Sequence, residues 1–543
     1  MELWRFVVRR PTVRTVPPCR HSGYTCRMPS ATRLSDAIVA DLPVLSCAEV
    51  RAVEALAASS PGVPDLMERA GLAAAELARD RLLQDKRSVL VLAGPGNNGG
   101  DGFVVARHLK SWWYQVSLVF VGERDRLGPD ARAAHDAWLQ AGGEVLSALP
   151  ANGADLVIDA LFGIGLQREL AGRHLELVEH INAQPATVLA LDIPSGLHAD
   201  TGRVLGCAVR AHHTVTFIAL KPGLLTLDGP DHAGEIHVRD LGLEIDALHP
   251  ARGHLVPTAL LAHVLPRRAR NSHKGTFGSL GILGGAAGMS GAALLAGRAA
   301  LYLGAGRTYV GLLGPDGLLV DPVQPELMLR EADEIVEMRH LSCLVVGPGL
   351  GQSPPARSVV ARALEREVAL VLDADALNLL GAHEALADVC AKRTSPTLLT
   401  PHPAEAARLL ACTTAEVHVD RIDAAVSISE RYRATVALKG VGTIVAEPSG
   451  SWWINTTGNP GLASAGMGDV LCGFIGALLA QGAAPGHALL AAAHLHGLAA
   501  DHCVERIGGP VGLTASEVTA AARGLLNAFT YDAGGNNQRD AGA

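Results

Sequence analysis

Two glycine-rich stretches carry acids where a bare backbone can approach a ligand closely. The first is Gly94-Pro95-Gly96-Asn97-Asn98-Gly99-Gly100-Asp101-Gly102. The second is Asn459-Pro460-Gly461 followed by Ala465-Gly466-Met467-Gly468-Asp469. Each follows a strand-like run and opens a helical one. Unpaired N–H groups at a helix start bind anions. A carboxylate beside such a hole is placed to take a proton from an attacking hydroxyl, as phosphoryl transfer requires. Asp469 has that place; its alternative reading is an N-cap. Two such stretches predict two active sites for small, phosphorylated ligands.

In the first stretch Gly94, Gly96 and Gly99 satisfy G-x-G-x-x-G, with Glu123 near the end of the next strand, as in a dinucleotide fold. Asp101 speaks against a pyrophosphate docked there, because its carboxylate would repel it; it also reads as an N-cap. The amides of Asn97 and Asn98 suit a ribose, a neutral ring or a hard cation. Further along, Asp159 and Asp192 each end a strand-like run, and Ser195 follows Asp192 closely. The carboxyl ends of parallel strands form one crevice. Asn98, Asp159 and Ser195 would converge there as amide, carboxylate and hydroxyl oxygens, a set for a hard cation rather than zinc. Each Asp alone reads equally well as a turn cap.

Strands are expected at 88–93, 116–121, 156–160, 188–192 and 214–218, with helices at 103–112, 129–141 and 175–183 between them. A second set follows at 280–283, 308–313, 343–346, 370–373, 397–400 and 435–439, then a hairpin at 443–446 and 452–455. Helices at 468–481, 486–504 and 515–529 close the chain, and a short one is expected at 258–264. Strands alternating with helices predict an α/β protein of two doubly wound domains, the first a Rossmann-like three-layer sandwich. We place them at 45–246 and 256–530, with the boundary within the proline-bearing region 247–270, which also carries the basic run Arg267 to Arg270. Residues 1–35 hold seven arginines against Glu2; they read as a disordered or misassigned extension, and 532–543 as a flexible tail.

The chain has 543 residues, 48% of them hydrophobic, and a net charge of −8. The charge argues against a nucleic-acid surface, and no apolar run is long enough to span a bilayer. The nine cysteines show no C-x-x-C pair, which favours the cytoplasm over a disulfide scaffold or a zinc site. We expect small-molecule ligands, no nucleic acid, no membrane and a homo-oligomer. In the second half, the small-residue loops 438–443 and 347–351 suit a nucleotide. His402 stands at a strand end between prolines, where it reaches a substrate or serves the structure.

GPGNNGGDG, DALFGIGLQRE and LDIPSGLHADTG resemble, in order, the signatures of NAD(P)H-hydrate epimerases over about 45–243. That family interconverts the R and S epimers of hydrated NADH and NADPH (NAD(P)HX). The resemblance implies that Asn97, Asn98, Gly99, Gly100, Asp101, Gly163, Ile164, Gly165, Leu166, Gln167, Arg168 and Glu169 contact substrate. It implies that Asn98, Asp159 and Ser195 bind potassium, that Asp192 is the acid/base group at the substrate, and that Lys221 is a second catalytic group or a solvated, phosphate-neutralising lysine.

HKGTFGSLGILGG, SGAALLA, VGPGLG, LDADALNLL, TPHPAE, LKGVGT and NTTGNPGLASAGMGDVLCG resemble the ADP/ATP-dependent NAD(P)H-hydrate dehydratases of the ribokinase-like superfamily over about 257–529. Ala404 stands where glycine is frequent. The resemblance implies that Lys439, Gly440, Val441, Gly442, Thr443 and Gly468 bind the adenine nucleotide, ADP with Mg2+. It implies that Ala292, Gly349, His402 and Asp469 contact the hydrated dinucleotide. Together the halves imply epimerisation of R- and S-NAD(P)HX and nucleotide-driven dehydration of the S form, with ADP yielding AMP and phosphate. The alternative is a ribokinase-like small-molecule kinase with a regulatory nucleotide-binding N-terminal module.

Overall fold

The computed structural model describes residues 42–59, 65–314 and 318–532. The basic segment 1–35 and the tail beyond 532 lie outside the described residues. In the first half a seven-stranded, wholly parallel sheet runs in the order Val145–Leu146, Gln115–Phe120, Ser88–Ala93, Leu156–Ala160, Thr187–Leu191, His213–Phe217, Glu235–Arg239. Its central strands Ser88–Ala93, Leu156–Ala160 and Thr187–Leu191 are largely apolar on both faces, as a sheet covered by helices requires. Val89, Val91 and Ala93 bury with Phe103, Leu109 and Trp138. Leu90 and Leu92 face the other way and bury with Leu177, Val178 and Ile181. The edge strand Glu235–Arg239 was not expected, because Glu235, His237 and Arg239 alternate with only Ile236 and Val238.

Strand order reverses between Ser88–Ala93 and Leu156–Ala160, so the crevice of this sheet opens above their carboxyl ends. The two loops touch there. Gly94 N–H donates to Ala160 O at 3.0 Å, and a Cβ on Gly94 would stand 1.8 Å from Leu161 O. The helix expected to begin at Phe103 begins at Asn97, with Gly96 as its cap. Gly99, Gly100 and Gly102 are helical residues packed against Gly94, Met67 and Ala160. Glycines that read as loop punctuation are here sites of close packing. Asp101 therefore lies inside the helix and caps nothing.

The second sheet has eleven strands in the order Pro43–Val44, Gly253–Leu255, Trp452–Asn455, Thr443–Ala446, Thr435–Leu438, Thr397–Leu399, Ala369–Leu372, Cys343–Val346, Ser279–Gly284, Arg307–Leu312, Met328–Glu331. From Thr435–Leu438 to Met328–Glu331 it is parallel, and the hairpin joins antiparallel. Two of its strands, Pro43–Val44 and Gly253–Leu255, come from outside the expected span 256–530. Val44 also bridges to Leu220 of the first half. The switch point lies between Ser279–Gly284 and Cys343–Val346. Helices Met467–Ala480, Pro485–Ile507 and Ala515–Asp532 stand close to their expected bounds, and the short helix is Leu260–His263.

Candidate active sites

The first site gathers at the carboxyl ends of its sheet. Asp192 follows strand Thr187–Leu191 and Lys221 follows the neighbouring strand. Lys221 Nζ donates to Asp192 Oδ1 at 2.5 Å, to Thr216 Oγ1 at 3.0 Å and to Phe217 O at 2.7 Å. Lys221 is fully buried, at 0% exposure, and Asp192 nearly so at 9%. The reading of Lys221 as a solvated residue is therefore corrected: it is a buried partner of Asp192. Asp192 and Ile218 hold positive φ, 63° and 69°, strain of the kind that accumulates at functional sites. A Cβ on Gly163 would lie 3.2 Å from Asp192 Oδ2 and 3.4 Å from Asn98 Cγ. Gly163, Asn98 and Asp192 thus share one space. Burial, with the nearby Asp192 charge, pushes the Asp101 carboxyl well above its usual range.

Asp159 is fully buried. Its Oδ2 accepts from Ser195 N–H at 2.8 Å, and its Oδ1 from Ser195 Oγ at 2.6 Å and Leu161 N–H at 3.2 Å. Burial raises it to about 6 despite these bonds. Phe162 N–H donates to Ser195 Oγ at 2.9 Å, one residue from Gly163. Asn98 is 7% exposed, and both its Oδ1 and Nδ2 lack a partner. A buried amide with nothing to bond is aimed at something else. In the loop 163–169, Leu166 is buried, Gly163 and Ile164 are half-buried, and Gly165, Gln167, Arg168 and Glu169 are exposed. Asn97 is exposed at the helix start, above buried Gly99 and Gly100.

The second site stands at the start of helix Met467–Ala480, whose cap is Gly466 at φ 87°. Asp469 is the third helical residue and not the cap. A Cβ on Gly468 would lie 3.5 Å from Lys439 Nζ and 3.7 Å from Asp373 Oδ2. Lys439 Nζ donates to Asp373 Oδ1 at 2.7 Å, as does Thr400 Oγ1, and Glu405 Oε2 is 3.9 Å away. Burial opposes the Lys439 charge, but the Asp373 and Glu405 carboxylates outweigh it and raise its pKa. Burial, helped by Asp373, raises Asp469 to about 6. His402 caps helix Pro403–Leu410 through Nδ1, which accepts from Ala404 N–H at 3.1 Å. Its Nε2 lies 3.2 Å from Glu405 Oε1. The structural role is thus filled, and the half-exposed ring keeps one edge open. Gly349, at φ 58°, faces Ala292: a Cβ there would stand 3.1 Å from Ala292 Cβ.

The loop Lys439–Thr443 is held from below by Arg421, which donates to the carbonyls of Leu438, Lys439, Val441 and Gly442. Burial lowers the Arg421 pKa to about 10. Gly440 and Gly442 have positive φ, Val441 is exposed, and Thr443 Oγ1 donates to Gly440 O at 3.1 Å. Asp373, Glu405 and Arg421 were absent from the sequence-based residue set. Asp373 was discoverable, since it ends a strand as Asp159 and Asp192 do. Arg421 left no local signal; only the fold brings it under the loop.

Each domain sets a lysine, fully buried in the first half and 21% exposed at the side chain in the second, against a buried strand-end carboxylate, beside a glycine-lined helix N-terminus, at the mouth of a doubly wound sheet. That arrangement defines an enzyme with one small-molecule site per half. A protein-family profile for NAD(P)H-hydrate dehydratase matches residues 280–521, and one for the YjeF-related protein N-terminus matches 63–223. The bifunctional NAD(P)H-hydrate repair enzyme of Escherichia coli (strain K12) is 40% identical over 474 residues, covering 86% of this chain and 90% of its own. That of Coxiella burnetii is 38% identical over 495 residues, covering 88% and 98%. The chain belongs to the family of bifunctional NAD(P)H-hydrate repair enzymes. Among solved structures, the Bacillus subtilis ADP/ATP-dependent NAD(P)H-hydrate dehydratase co-crystallised with ATP/Mg2+ is 32% identical, covers 50% of this chain and 96% of its own, and has a TM-score of 0.44. Family membership decides against the small-molecule kinase alternative. No helix among the described residues is long and apolar enough to cross a membrane.

Proposed function

We propose that the first half epimerises R- and S-NAD(P)HX with Asp192 as the acid/base group. Lys221 holds that carboxylate by the 2.5 Å contact and supplies the compensating charge. Asp101, whose carboxyl burial pushes upward, contacts substrate, while residues 97–100 and 163–169 line its path. Asn98, Asp159 and Ser195 hold a potassium ion. The support is Asn98, whose buried Oδ1 has no partner and which lies against Gly163, one residue from Phe162, whose N–H bonds the Ser195 hydroxyl held by buried Asp159; amide, hydroxyl and carboxylate oxygens are all hard donors. Bound there, the cation keeps Asp159 ionised and fixes the 161–163 loop.

In the second half we assign S-NAD(P)HX to Ala292, Gly349, His402 and Asp469, and ADP to Lys439–Thr443 and Gly468. Asp373 and Asp469 are hard oxygen donors, so the site's chemistry fits the Mg2+ that accompanies a nucleotide and neutralises its phosphate charge. Asp469 takes the proton of the C6 hydroxyl as that oxygen attacks the terminal phosphoryl group. The phosphate ester is a good leaving group: the ring nitrogen's electron pair expels it, and loss of the C5 proton from the resulting iminium gives NAD(P)H. Lys439 and the N–H groups of Gly468 and its neighbours stabilise the transferring charge. The observation that carries this reading is Asp469, part-buried and raised to about 6, at a helix start that also holds Lys439 and Asp373.

The test incubates the full chain with chemically hydrated NADH, ADP, magnesium and potassium. The expected result is recovery of NADH absorbance with one AMP and one phosphate per NADH. Accumulation of a phosphorylated dinucleotide without NADH would overturn it. We further propose that the protein works in the cytoplasm as a homo-oligomer and binds no nucleic acid. Support for the first is that all seven described cysteines are free thiols.

A further inference from the structure

At the opposite end of the strands from Asp192 and Lys221, three side chains meet on the edge of the first sheet. His213 opens strand His213–Phe217, and Glu235 opens the edge strand Glu235–Arg239. In the parallel register His213 pairs with Glu235 and Val215 with His237. All three side chains therefore stand on one face. They lie at the amino ends of the strands, whereas Asp192 and Lys221 lie at the carboxyl ends.

We propose that His213, Glu235 and His237 form a binding site for a divalent transition metal, zinc by its donor set. His213 Nδ1 and His237 Nε2 are 3.2 Å apart. A tetrahedral zinc with bonds of about 2.0–2.1 Å separates two ligand nitrogens by about 3.3 Å. The rings are stacked, 5.4 Å between centroids at 30°, and need scarcely move. Glu235 Oε2 is 3.8 Å from His213 Nδ1, and its Oε1 is 3.7 Å from His237 Nε2. A small rotation of one flexible carboxylate closes both gaps. Two imidazoles and one carboxylate suit zinc, not the hard cations of the crevice.

The electrostatics agree. Burial pushes both imidazoles below their usual range, the direction that favours the uncharged, ligating form. Glu235 provides the negative charge. His237 is buried, while His213 and Glu235 are 24% and 32% exposed at the side chain. Water can thus reach the fourth position. The ion would clamp the edge strand to its neighbour, which is the part of a sheet with fewest bonds of its own.

The test titrates the full chain, stripped with a chelator, with Zn2+ alone by calorimetry and with Co2+ by visible absorption. His213→Asn and Glu235→Gln serve as variants, being part-exposed and close in shape. Their unfolding in chelator checks that each still folds. Wild type should bind one more Zn2+ than either variant, or bind it at least about tenfold tighter, the scale that even an outer-shell ligand partner commands. Its Co2+ complex should show d–d bands without thiolate charge transfer, and zinc should raise its melting temperature but not theirs. Equal stoichiometry and affinity in all three proteins overturns the site. So does a Co2+ spectrum carrying thiolate charge transfer that both variants retain.

Discussion

Asp469 is asked to do two things that conflict, and the conflict is measurable. Its carboxyl sits at about 6 instead of 3.8, chiefly because burial disfavours the charge. The folded state therefore favours the neutral form. That preference is fully available below 3.8 and is lost as pH rises through 6. Above pH 6 the ionised side chain destabilises the fold. A carboxyl moved from 3.8 to about 6 carries about 3 kcal/mol. Solvent reaches part of this side chain and screens it, and the helix N-terminus returns about 0.3–1 kcal/mol to an anion. What remains is about 1–2 kcal/mol.

Asp469→Asn keeps the shape and removes the charge. It should stabilise the full chain by about 1–2 kcal/mol at pH 7.5. The gain should shrink steadily as pH falls below 6 and nearly vanish near pH 4. The same change should lower dehydration of pure S epimer by roughly two to four orders of magnitude, with nucleotide affinity retained. In the wild type, dehydration should fall on the acid side with a midpoint near 6. Urea unfolding of both proteins across that pH range, alongside recovery of NADH absorbance, measures all three. A variant no more stable at pH 7.5, or equally stabilised at pH 4 and 7.5, refutes the electrostatic argument. A variant with wild-type turnover refutes the role as base.

Asp192→Asn should leave the S epimer repaired normally while the R epimer is consumed only as fast as it epimerises unaided; loss of S-epimer dehydration would refute separate sites. Lys221→Met strands a buried carboxylate and should destabilise the first domain by about 3–5 kcal/mol, read as a lowered urea midpoint with epimerase activity lost. Replacing potassium by a bulky organic cation should lower epimerase activity, and Asp159→Ala should do the same in saturating potassium. Full activity of that variant, with no rubidium or thallium density beside Asn98, would refute the cation. Gly442 has φ 62°, and a Cβ there would stand 2.2 Å from Leu225 O. Gly442→Ala should therefore cost about 2 kcal/mol or more and raise the nucleotide KM more than it lowers kcat. Unchanged stability and KM would show that the loop yields freely.

The strands were readable because each is a short apolar run between glycine and proline punctuation, and their order followed from alternation with helices. Asp159, Asp192 and Ser195 were readable for the same reason: a polar residue that ends such a run must sit at the crevice. Legibility failed where a residue's role depends on register or on a distant partner. His213, Glu235 and His237 form a cluster only because two strands pair in one register. Arg421 matters only because its helix passes beneath the Lys439–Thr443 loop. Glu405 completes the helix cap by accepting from His402 N–H at 2.8 Å, and its reach toward Lys439 is invisible until the sheet is built. The helix at Asn97 was placed late because glycine's low helix propensity outweighs, in sequence, the packing that requires glycine there.

The two halves solve the same problem alike. A carboxylate at a strand's carboxyl end is needed near the ligand, but the crevice removes it from water. Each half answers with a lysine from another strand end, Lys221 for Asp192 and Lys439 for Asp373. Such pairs are poor stabilisers, since desolvation consumes most of the attraction. Two leucines in their place would leave the folds as firm. In the mechanism we propose, their use is geometric: the lysine fixes which carboxylate oxygen faces the ligand and holds the local charge balance constant. Strain marks the same points, with positive φ at Asp192 and Ile218 in one half and at Ala374, next to Asp373, in the other. Stability surrendered at these positions is supplied by the apolar central strands around them, which is why those strands were legible and the pairs were only half so.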